Sequence, residues 1–121
     1  MPTSTQFYIN GSWVEPSAGA TRLPVINPST EEPCAEIALG AEEDTNKAVA
    51  SARAAFEGWA LTDPAERYAA LERVYEAYKA RHEDLIEAIS QEMGAPIDLA
   101  RQQQVTTGDW HLEGLLKQAK D

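Results

Sequence analysis

The sequence predicts a mixed α and β fold that is mostly α-helical, with a β-hairpin and short strands over residues 7–39 and about four helices over residues 42–119. Three observations indicate this order. Asn10 and Gly11 stand between short apolar runs, as the turn residues of a two-residue hairpin do. Over residues 34–39 apolar residues alternate with their neighbours, and beyond Gly40 they recur at spacings of three and four.

The β-rich part is predicted to contain two hairpin arms and two further strands. The arms are residues 7–9 and 12–14, and a third strand covers residues 22–26. Residues 27–33 turn the chain because they are rich in Asn, Pro, Ser and Thr. The fourth strand, residues 34–39, is predicted to bury one face. Its two alternating sets are Ala35, Ile37 and Leu39 on one side and Cys34, Glu36 and Ala38 on the other.

The first helix is predicted to start near Asp44 and to carry one apolar stripe. Its residues are Ala48, Val49, Ala52, Ala55, Phe56 and Trp59. Ala41 stands where a capping hydroxyl would be expected, so the start has no side-chain cap of the usual kind. The negative charge of Asp44, in the first turn, instead stabilises the helix by its interaction with the positive end of the helix dipole.

The second and third helices have clear boundary signals. Asp63 can cap the second helix and Pro64 suits its first position. The third helix runs from about His82 to Met93, and Gly94 followed by Pro96 ends it. The predicted buried positions are Leu71, Val74, Tyr75 and Tyr78 on the second helix and Leu85, Ile86, Ile89 and Met93 on the third.

The fourth helix is predicted to run without interruption over residues 97–119. The apolar positions are Val105, Leu112, Leu115, Leu116 and Ala119. Gly108 lies among them and costs about 1 kcal/mol relative to alanine in an exposed helix interior. We therefore expect another part of the chain to pack closely against Gly108.

Charge and composition exclude several partners. The 121 residues carry 10 basic and 20 acidic side chains, a net charge of −10, which disfavours nucleic acid and anionic membrane surfaces. One cysteine cannot form an internal disulfide. Residues 1–6 lack the basic and apolar segments of a secretory leader. We expect a cytoplasmic protein that binds neither nucleic acid nor membrane.

The reactive residue types give no catalytic group in this chain. Cys34 has no basic neighbour to activate it, and His82 and His111 have no second ligand at metal-binding spacing. We interpret Cys34 as structural, His82 as a solvated residue at a helix end, and His111 as a packing or polar contact. The acidic runs at residues 31–32 and 42–44 are expected to face water, and no glycine-rich phosphate-binding turn is present.

Several short segments, in this order, resemble the NAD(P)-dependent aldehyde dehydrogenases. They are Phe-Tyr-Ile-Asn-Gly-Ser-Trp at residues 7–13, Val-Ile-Asn-Pro-Ser-Thr at 25–30, the first helix at 48–59, Pro-Ala-Glu-Arg at 64–67 and Glu-Met-Gly-Ala-Pro at 92–96. Gly-Ala-Pro, with residues 99–101, Gln104, Gly108 and 111–112, is similar to a bacterial branch. The resemblance covers essentially the whole chain and about the first quarter of such an enzyme.

The resemblance implies an aldehyde dehydrogenase-like α/β fold in which residues 1–121 form the N-terminal part of the cofactor-binding domain. The complete enzyme would oxidise an aldehyde to a carboxylic acid through a cysteine thiolate, with NAD or NADP as hydride acceptor, and would form a homo-oligomer. The nucleophile, the general base and the dinucleotide-binding lysine lie in later residues. This chain is thus expected to be inactive scaffold, with no catalytic or cofactor-binding residue and no catalytic domain, and its partner is the remainder of the dehydrogenase.

The resemblance also implies a monovalent cation site. In many family members main-chain oxygens at the positions of Val25 and Ile26 and an acidic side chain at the position of Glu92 hold the ion, and hard cations favour oxygen ligands. Glu92 is longer than the aspartate often found there, so the alternative is a plain glutamate at a helix end. Many relatives have glycine where Glu31 stands, which suggests a different turn here, because glutamate resists left-handed conformations.

A second functional hypothesis is a stand-alone interaction module that docks onto a full-length dehydrogenase or a complementing chain. Such a module should have replaced its apolar stripes with polar residues. This chain instead retains Leu112, Leu115 and Leu116, and the pairs Phe56 with Trp59 and Leu112 with Leu115 are also apolar stripes suited to a partner. If nothing covers them, we expect partial order or self-association of the isolated chain.

Overall fold

The computed structural model describes residues 5–120, which form two compact units that meet between Leu61 and Thr62 in the sequence. The first unit contains strands β1 (Phe7–Ile9), β2 (Ser12–Val14), β3 (Thr21–Asn27) and β4 (Glu32–Leu39), followed by helix α1 (Glu42–Ala60). The second contains α2 (Pro64–Ala80), α3 (His82–Met93), α4 (Ile97–Leu99), a π-helical turn (Ala100–Gln104) and α5 (Val105–Gln118). The predicted order of hairpin, strands and helices is confirmed.

The N-terminal hairpin has the predicted turn. Strands β1 and β2 pair antiparallel, with Phe7 opposite Val14 and Ile9 opposite Ser12. Asn10 and Gly11 both take positive φ values, 53° and 78°, the combination that matches the twist of the two strands. The Asn-Gly dipeptide therefore fixes the register of this hairpin.

The second sheet also has two strands, and the predicted alternation in β4 is wrong. Residues 34–38 are all half-buried and Leu39 is exposed. Strands β3 and β4 pair antiparallel with a bulge at which the register shifts between Val25 and Ile26. A bulge breaks the two-residue period, and a two-stranded ribbon has no third strand to bury one face selectively.

The turn between β3 and β4 forces Glu31 into the left-handed region, at φ 60°. The Glu31 N–H donates to the Asn27 carbonyl at 2.8 Å, and the Ser29 N–H donates to Asn27 Oδ1 at 2.9 Å. These bonds close the turn at the cost of an unfavourable glutamate conformation, which residues with a Cβ adopt reluctantly.

We expect Glu31→Gly to stabilise the first unit by about 1 kcal/mol, because glycine adopts this φ without the steric penalty. Urea unfolding of the 121-residue chain measures the change. Glu32→Gly is the matched control, because Glu32 begins β4 and glycine in a strand should instead destabilise by about 0.5–1 kcal/mol. Equal effects of the two substitutions would show that the turn is not strained.

The start of α1 is held by Asp44 rather than by its N-cap residue, Ala41. Asp44 is buried, and its carboxylate accepts hydrogen bonds from the Ala41 N–H at 2.9 Å and from the N–H and hydroxyl of Ser17, both at 2.8 Å. The expectation that residues 42–44 all face water is thus wrong for Asp44. The main-chain bond from Ala41, with those from Ser17, lowers the pKa of this carboxyl group.

This lowered pKa predicts a pH effect on the first unit. A carboxyl group whose pKa falls on folding stabilises the fold at neutral pH, and the contribution is lost as the pH falls below its ordinary value of 3.8. Thermal unfolding at about pH 6 and about pH 3 should therefore show a larger loss of melting temperature for the natural chain than for Asp44→Asn. Glu42→Gln, an exposed change in the same helical turn, should keep the full loss; an Asp44→Asn curve parallel to it would contradict this account.

The second unit has a small core where α3, the π-turn and α5 meet. Its buried side chains are Ile86, Ala100 and Val105, with Tyr78, Leu85, Ile89 and Ala95 packed around them. Asp63 Oδ1 caps α2 by accepting from the Ala65 N–H at 2.8 Å, as predicted for its N-cap, and Gly94 ends α3 at φ 69°. Two predicted buried positions are wrong, because Val74 and Met93 are exposed.

The predicted fourth helix is not one continuous α-helix. The path from Ile97 to Gln118 contains the π-turn, in which the Val105 N–H bonds to the Ala100 carbonyl five residues earlier. The close packing expected at Gly108 is confirmed, because a Cβ at that position would lie 2.1 Å from Tyr78 Oη. The Tyr78 hydroxyl donates to the Val105 carbonyl at 2.7 Å and so occupies the space that Gly108 leaves.

Candidate functional site

Cys34 lies half-buried in β4, beside the bulge of the second sheet. Its Sγ is 3.4 Å from the main-chain oxygen of Val25. This contact is a weak hydrogen bond across the ribbon, and it places the thiol within the sheet and not in a cleft. The geometry agrees with the structural interpretation of this residue.

The two histidines have different environments, and the interpretation of His82 as solvated is wrong. His82 is half-buried at the start of α3, where its ring packs edge-on against Tyr78 at 5.1 Å and its Nε2 lies 3.1 Å from Asp109 Oδ1. It therefore joins α3 to α5. His111 is exposed on α5.

A second polar link joins α2 to α5. The Tyr75 hydroxyl donates to Glu113 Oε1 at 2.5 Å, and this bond raises the pKa of Tyr75 to about 12. A phenol with so high a pKa keeps its proton at neutral pH and acts as a fixed donor. The link thus sets the packing of two helices and provides no acid or base.

The predicted cation ligands fall in different units. Val25 and Ile26 are neighbours in β3 at the bulge, and Glu92 is exposed near the end of α3. A bulge interrupts the ladder and redirects main-chain groups, so oxygens at this point are a chemically suitable donor set for a hard cation. The two strand positions are consecutive residues beside the bulge, and the three-residue site stays a prediction.

Neither metal nor phosphate chemistry is evident elsewhere in residues 5–120. No group of three or more His, Cys, Asp or Glu side chains converges there in a geometry that could hold a metal ion. A shallow depression on α1 is lined by Glu42, Glu43, Asn46, Lys47 and Ala50. Its carboxylates oppose phosphate binding, and its lysine is already paired with Glu43 at 2.7 Å.

The most prominent functional feature is apolar surface. All three tryptophans are more than half exposed, Trp13 at 63%, Trp59 at 51% and Trp110 at 68%. On α1, the residues Val49, Ala52, Phe56 and Trp59 recur at helical spacing and all are exposed; we call them the α1 apolar face. Large aromatic side chains are usually well buried, so such a surface indicates a contact with another part of a protein.

Comparison with known proteins explains the combination of a defined fold and so much open surface. A family model described as the aldehyde dehydrogenase family matches residues 13–120. This chain belongs to the aldehyde dehydrogenase family. A 3-succinoylsemialdehyde-pyridine dehydrogenase from a Pseudomonas species is 43% identical over 107 residues, which are 88% of this chain and 22% of that enzyme.

Solved aldehyde dehydrogenases share the fold of this family member. The aldehyde dehydrogenase of Bartonella henselae is 45% identical with a TM-score of 0.95, over 99% of this chain and 25% of that one. A mutant of aldehyde dehydrogenase C from Pseudomonas syringae, solved with NAD+ and octanal, is 40% identical with a TM-score of 0.93, over 98% of this chain and 24% of that one. The chain thus spans about a quarter of the length of these relatives, as the sequence motifs predicted.

The sequence also predicted that the chain does not bind membranes, and the structure gives one related finding. Within the described residues, none of the helices combines the length and the apolar character needed to cross a membrane. The leader prediction rests on residues 1–6, of which residues 1–4 lie outside the described part of the chain.

Proposed function

We propose that this chain is the N-terminal scaffold of an NAD(P)-dependent aldehyde dehydrogenase that oxidises an aldehyde to a carboxylic acid. The observation that carries the proposal is the likeness, over 98% of this chain, to an enzyme solved with NAD+ and octanal. The chain covers 24% of that enzyme, so the larger part would supply the nucleophile, the general base and the dinucleotide site. On its own the chain performs no step of the reaction.

The environments of the reactive side chains support an inert role for this segment. The Cys34 thiol is engaged with a sheet carbonyl, His82 with Asp109, and Tyr75 with Glu113. Nucleophilic catalysis needs a thiol or hydroxyl in hydrogen-bond reach of a base that is itself oriented by a third group. These three pairs instead connect one element of the fold to another.

The exposed apolar surface supports the remainder of the dehydrogenase as the partner. Burial of a large apolar side chain contributes about 1.5–3 kcal/mol, and within residues 62–120 the buried apolar side chains are only Ile86, Ala100 and Val105. We further propose a cytoplasmic homo-oligomer, NAD or NADP as cofactor of the complete enzyme, and a monovalent cation at Val25, Ile26 and Glu92. The single cysteine and the net charge of −10 fit this environment.

Complementation tests the proposal. The matching first quarter is removed from the Bartonella henselae relative, and the truncated protein is co-expressed with this 121-residue chain. We expect NAD(P)+ reduction that depends on aldehyde, at least about tenfold above either part alone, because positioning of the catalytic groups needs the complete scaffold.

The controls distinguish the scaffold proposal from the hypothesis of a stand-alone interaction module. Each part assayed alone should be inactive. If the chain binds the intact relative and not the truncated one, the stand-alone module is correct and the scaffold proposal is wrong.

A further inference from the structure

The exposed side of the N-terminal hairpin carries a pair of aromatic rings. Tyr8 on β1 lies opposite Trp13 on β2, with the ring centroids 5.2 Å apart and an angle of 62° between the ring planes. Both residues are 63% exposed, whereas Phe7 and Ile9, on the other side of the hairpin, are half-buried. In an edge-to-face pair, the ring that presents its edge keeps both of its faces open. The negative face of such a ring attracts cations.

A carboxylate lies beside this aromatic pair. Gln6 and Glu15 are two positions from Tyr8 and Trp13 along their strands, and so belong to the same side of the hairpin. Gln6 Nε2 donates to Glu15 Oε1 at 2.5 Å, and this bond holds the carboxylate in place. A carboxylate has about four acceptor sites. Glu15 therefore keeps acceptor sites for a cationic group that lies over the rings.

The pair differs in one respect from three other aromatic rings of the chain. Each of those rings has a basic side chain over its face, 4.5–5.5 Å from the ring centroid: Phe56 with Arg53, Tyr75 with Lys79, and Tyr68 with Lys120. Within residues 5–120, no basic side chain lies over Tyr8 or Trp13. Tryptophan is the strongest cation acceptor among the aromatic side chains. The described part of the chain thus supplies no cation to the pair that contains the better acceptor.

The charge of the first unit restricts the source of a cation. Residues 1–61 contain three basic and eight acidic side chains. All three basic side chains are engaged elsewhere: Arg22 with Glu36 at 2.6 Å, Lys47 with Glu43 at 2.7 Å, and Arg53 with the ring of Phe56. A cation for the aromatic pair must therefore come from outside this unit. The excess of acidic side chains favours its approach.

We propose that Gln6, Tyr8, Trp13 and Glu15, which we call the hairpin aromatic face, bind an arginine or lysine side chain from the remainder of the dehydrogenase. The choice of this occupant rests on the proposed function, because the chain spans about a quarter of the length of its relatives. The cation lies over a ring, within about 6 Å of its centroid. The Glu15 carboxylate neutralises its charge.

Peptide titration tests the chemistry of this face. A blocked tripeptide with a central arginine is added to the 121-residue chain, and the indole N–H signal of Trp13 is followed by NMR. The control peptide contains citrulline, which keeps the shape of arginine without its charge. We expect the Trp13 signal to shift at least about fivefold more per added arginine peptide. Equal shifts with the two peptides, or no shift with either, would overturn the proposal.

The carboxylate gives a second readout in the same titration. Glu15→Gln removes the negative charge beside the rings and should reduce the response to the arginine peptide about two- to fivefold. Glu42→Gln makes the same change at an exposed position on α1 and should leave the response within about 1.5-fold. A Glu15→Gln response equal to that of Glu42→Gln would show that Glu15 does not contact the cation.

Assembly with the truncated Bartonella henselae relative tests the source of the cation. Trp13→Leu keeps an apolar side chain but removes the ring, so we expect association to weaken about threefold to thirtyfold. Trp13→Phe keeps a ring and should recover most of the affinity. Normal association by Trp13→Leu would refute this occupant while leaving the proposed function intact. No association by the natural chain would contradict both.

Discussion

Gly108→Ala is expected to destabilise the second unit by about 1–3 kcal/mol, although alanine has a higher helix propensity than glycine. Alanine gains about 1 kcal/mol over glycine in an exposed helix. At Gly108, however, the new Cβ would lie 2.1 Å from Oη and 2.5 Å from Cζ of Tyr78. The ring must move, which costs about 1–3 kcal/mol of overpacking and about 0.5–1.5 kcal/mol for the lost bond to the Val105 carbonyl.

Gly114→Ala is the matched control on the same helix. Nothing lies within 4 Å of a Cβ at Gly114, so this variant should be more stable by up to about 1 kcal/mol. Urea unfolding followed by helical circular dichroism compares the two. Tyr78→Ala should make Gly108→Ala nearly harmless, since residues in contact do not act additively. Equal effects at the two glycines would show that Tyr78 does not pack here.

Replacing the two aromatic residues of the α1 apolar face should separate folding from assembly. Phe56 and Trp59 are 54% and 51% exposed, so Phe56→Gln with Trp59→Gln removes little buried area from the isolated chain. Its free energy of unfolding should change by no more than about 0.5 kcal/mol. Binding of a dye that recognises exposed apolar surface, and any self-association at high concentration, should both decrease.

The same double variant should fail in the complementation experiment. Each side chain has about half of its area left to bury, so the pair would contribute about 1.5–3 kcal/mol to assembly with the remaining part. This corresponds to roughly a tenfold to hundredfold weaker association. Glu57→Gln, on another side of α1, should complement normally. Full complementation by the double variant would show that this face is not an assembly surface.

The sequence predicted those elements whose signals are local. The turn at Asn10 and Gly11, the caps at Asp63 and Gly94 and the bounds of α3 follow from one or two residues each. Close packing at Gly108 was predictable because a glycine within a long helical pattern requires an explanation.

The features that the sequence did not predict depend on residues far apart or on a small change in helix geometry. The role of Asp44 requires Ser17, which is 27 positions earlier, and the link from His82 to Asp109 also spans 27 positions. The π-turn leaves the apolar period almost unchanged, so periodicity cannot detect it.

For the candidate site too, the sequence predicted what depends on nearby residues and not what depends on distant ones. Helical spacing predicts that Val49, Phe56 and Trp59 share one face, but it cannot distinguish a face that this chain buries from one that awaits a partner. We attribute the errors at Val74 and Met93 to the same ambiguity. The bulge between Val25 and Ile26 depends on pairing with β4 and has no signal within β3 itself.

Aldehyde turnover is the most direct test of the claim that this chain is scaffold. Purified 121-residue protein is incubated with an aldehyde and with NAD+ or NADP+, and reduced cofactor is followed by absorbance, alone and after assembly with the truncated relative. We predict no sustained reduction by the chain alone and sustained reduction by the assembly. Turnover by the chain alone would contradict the account.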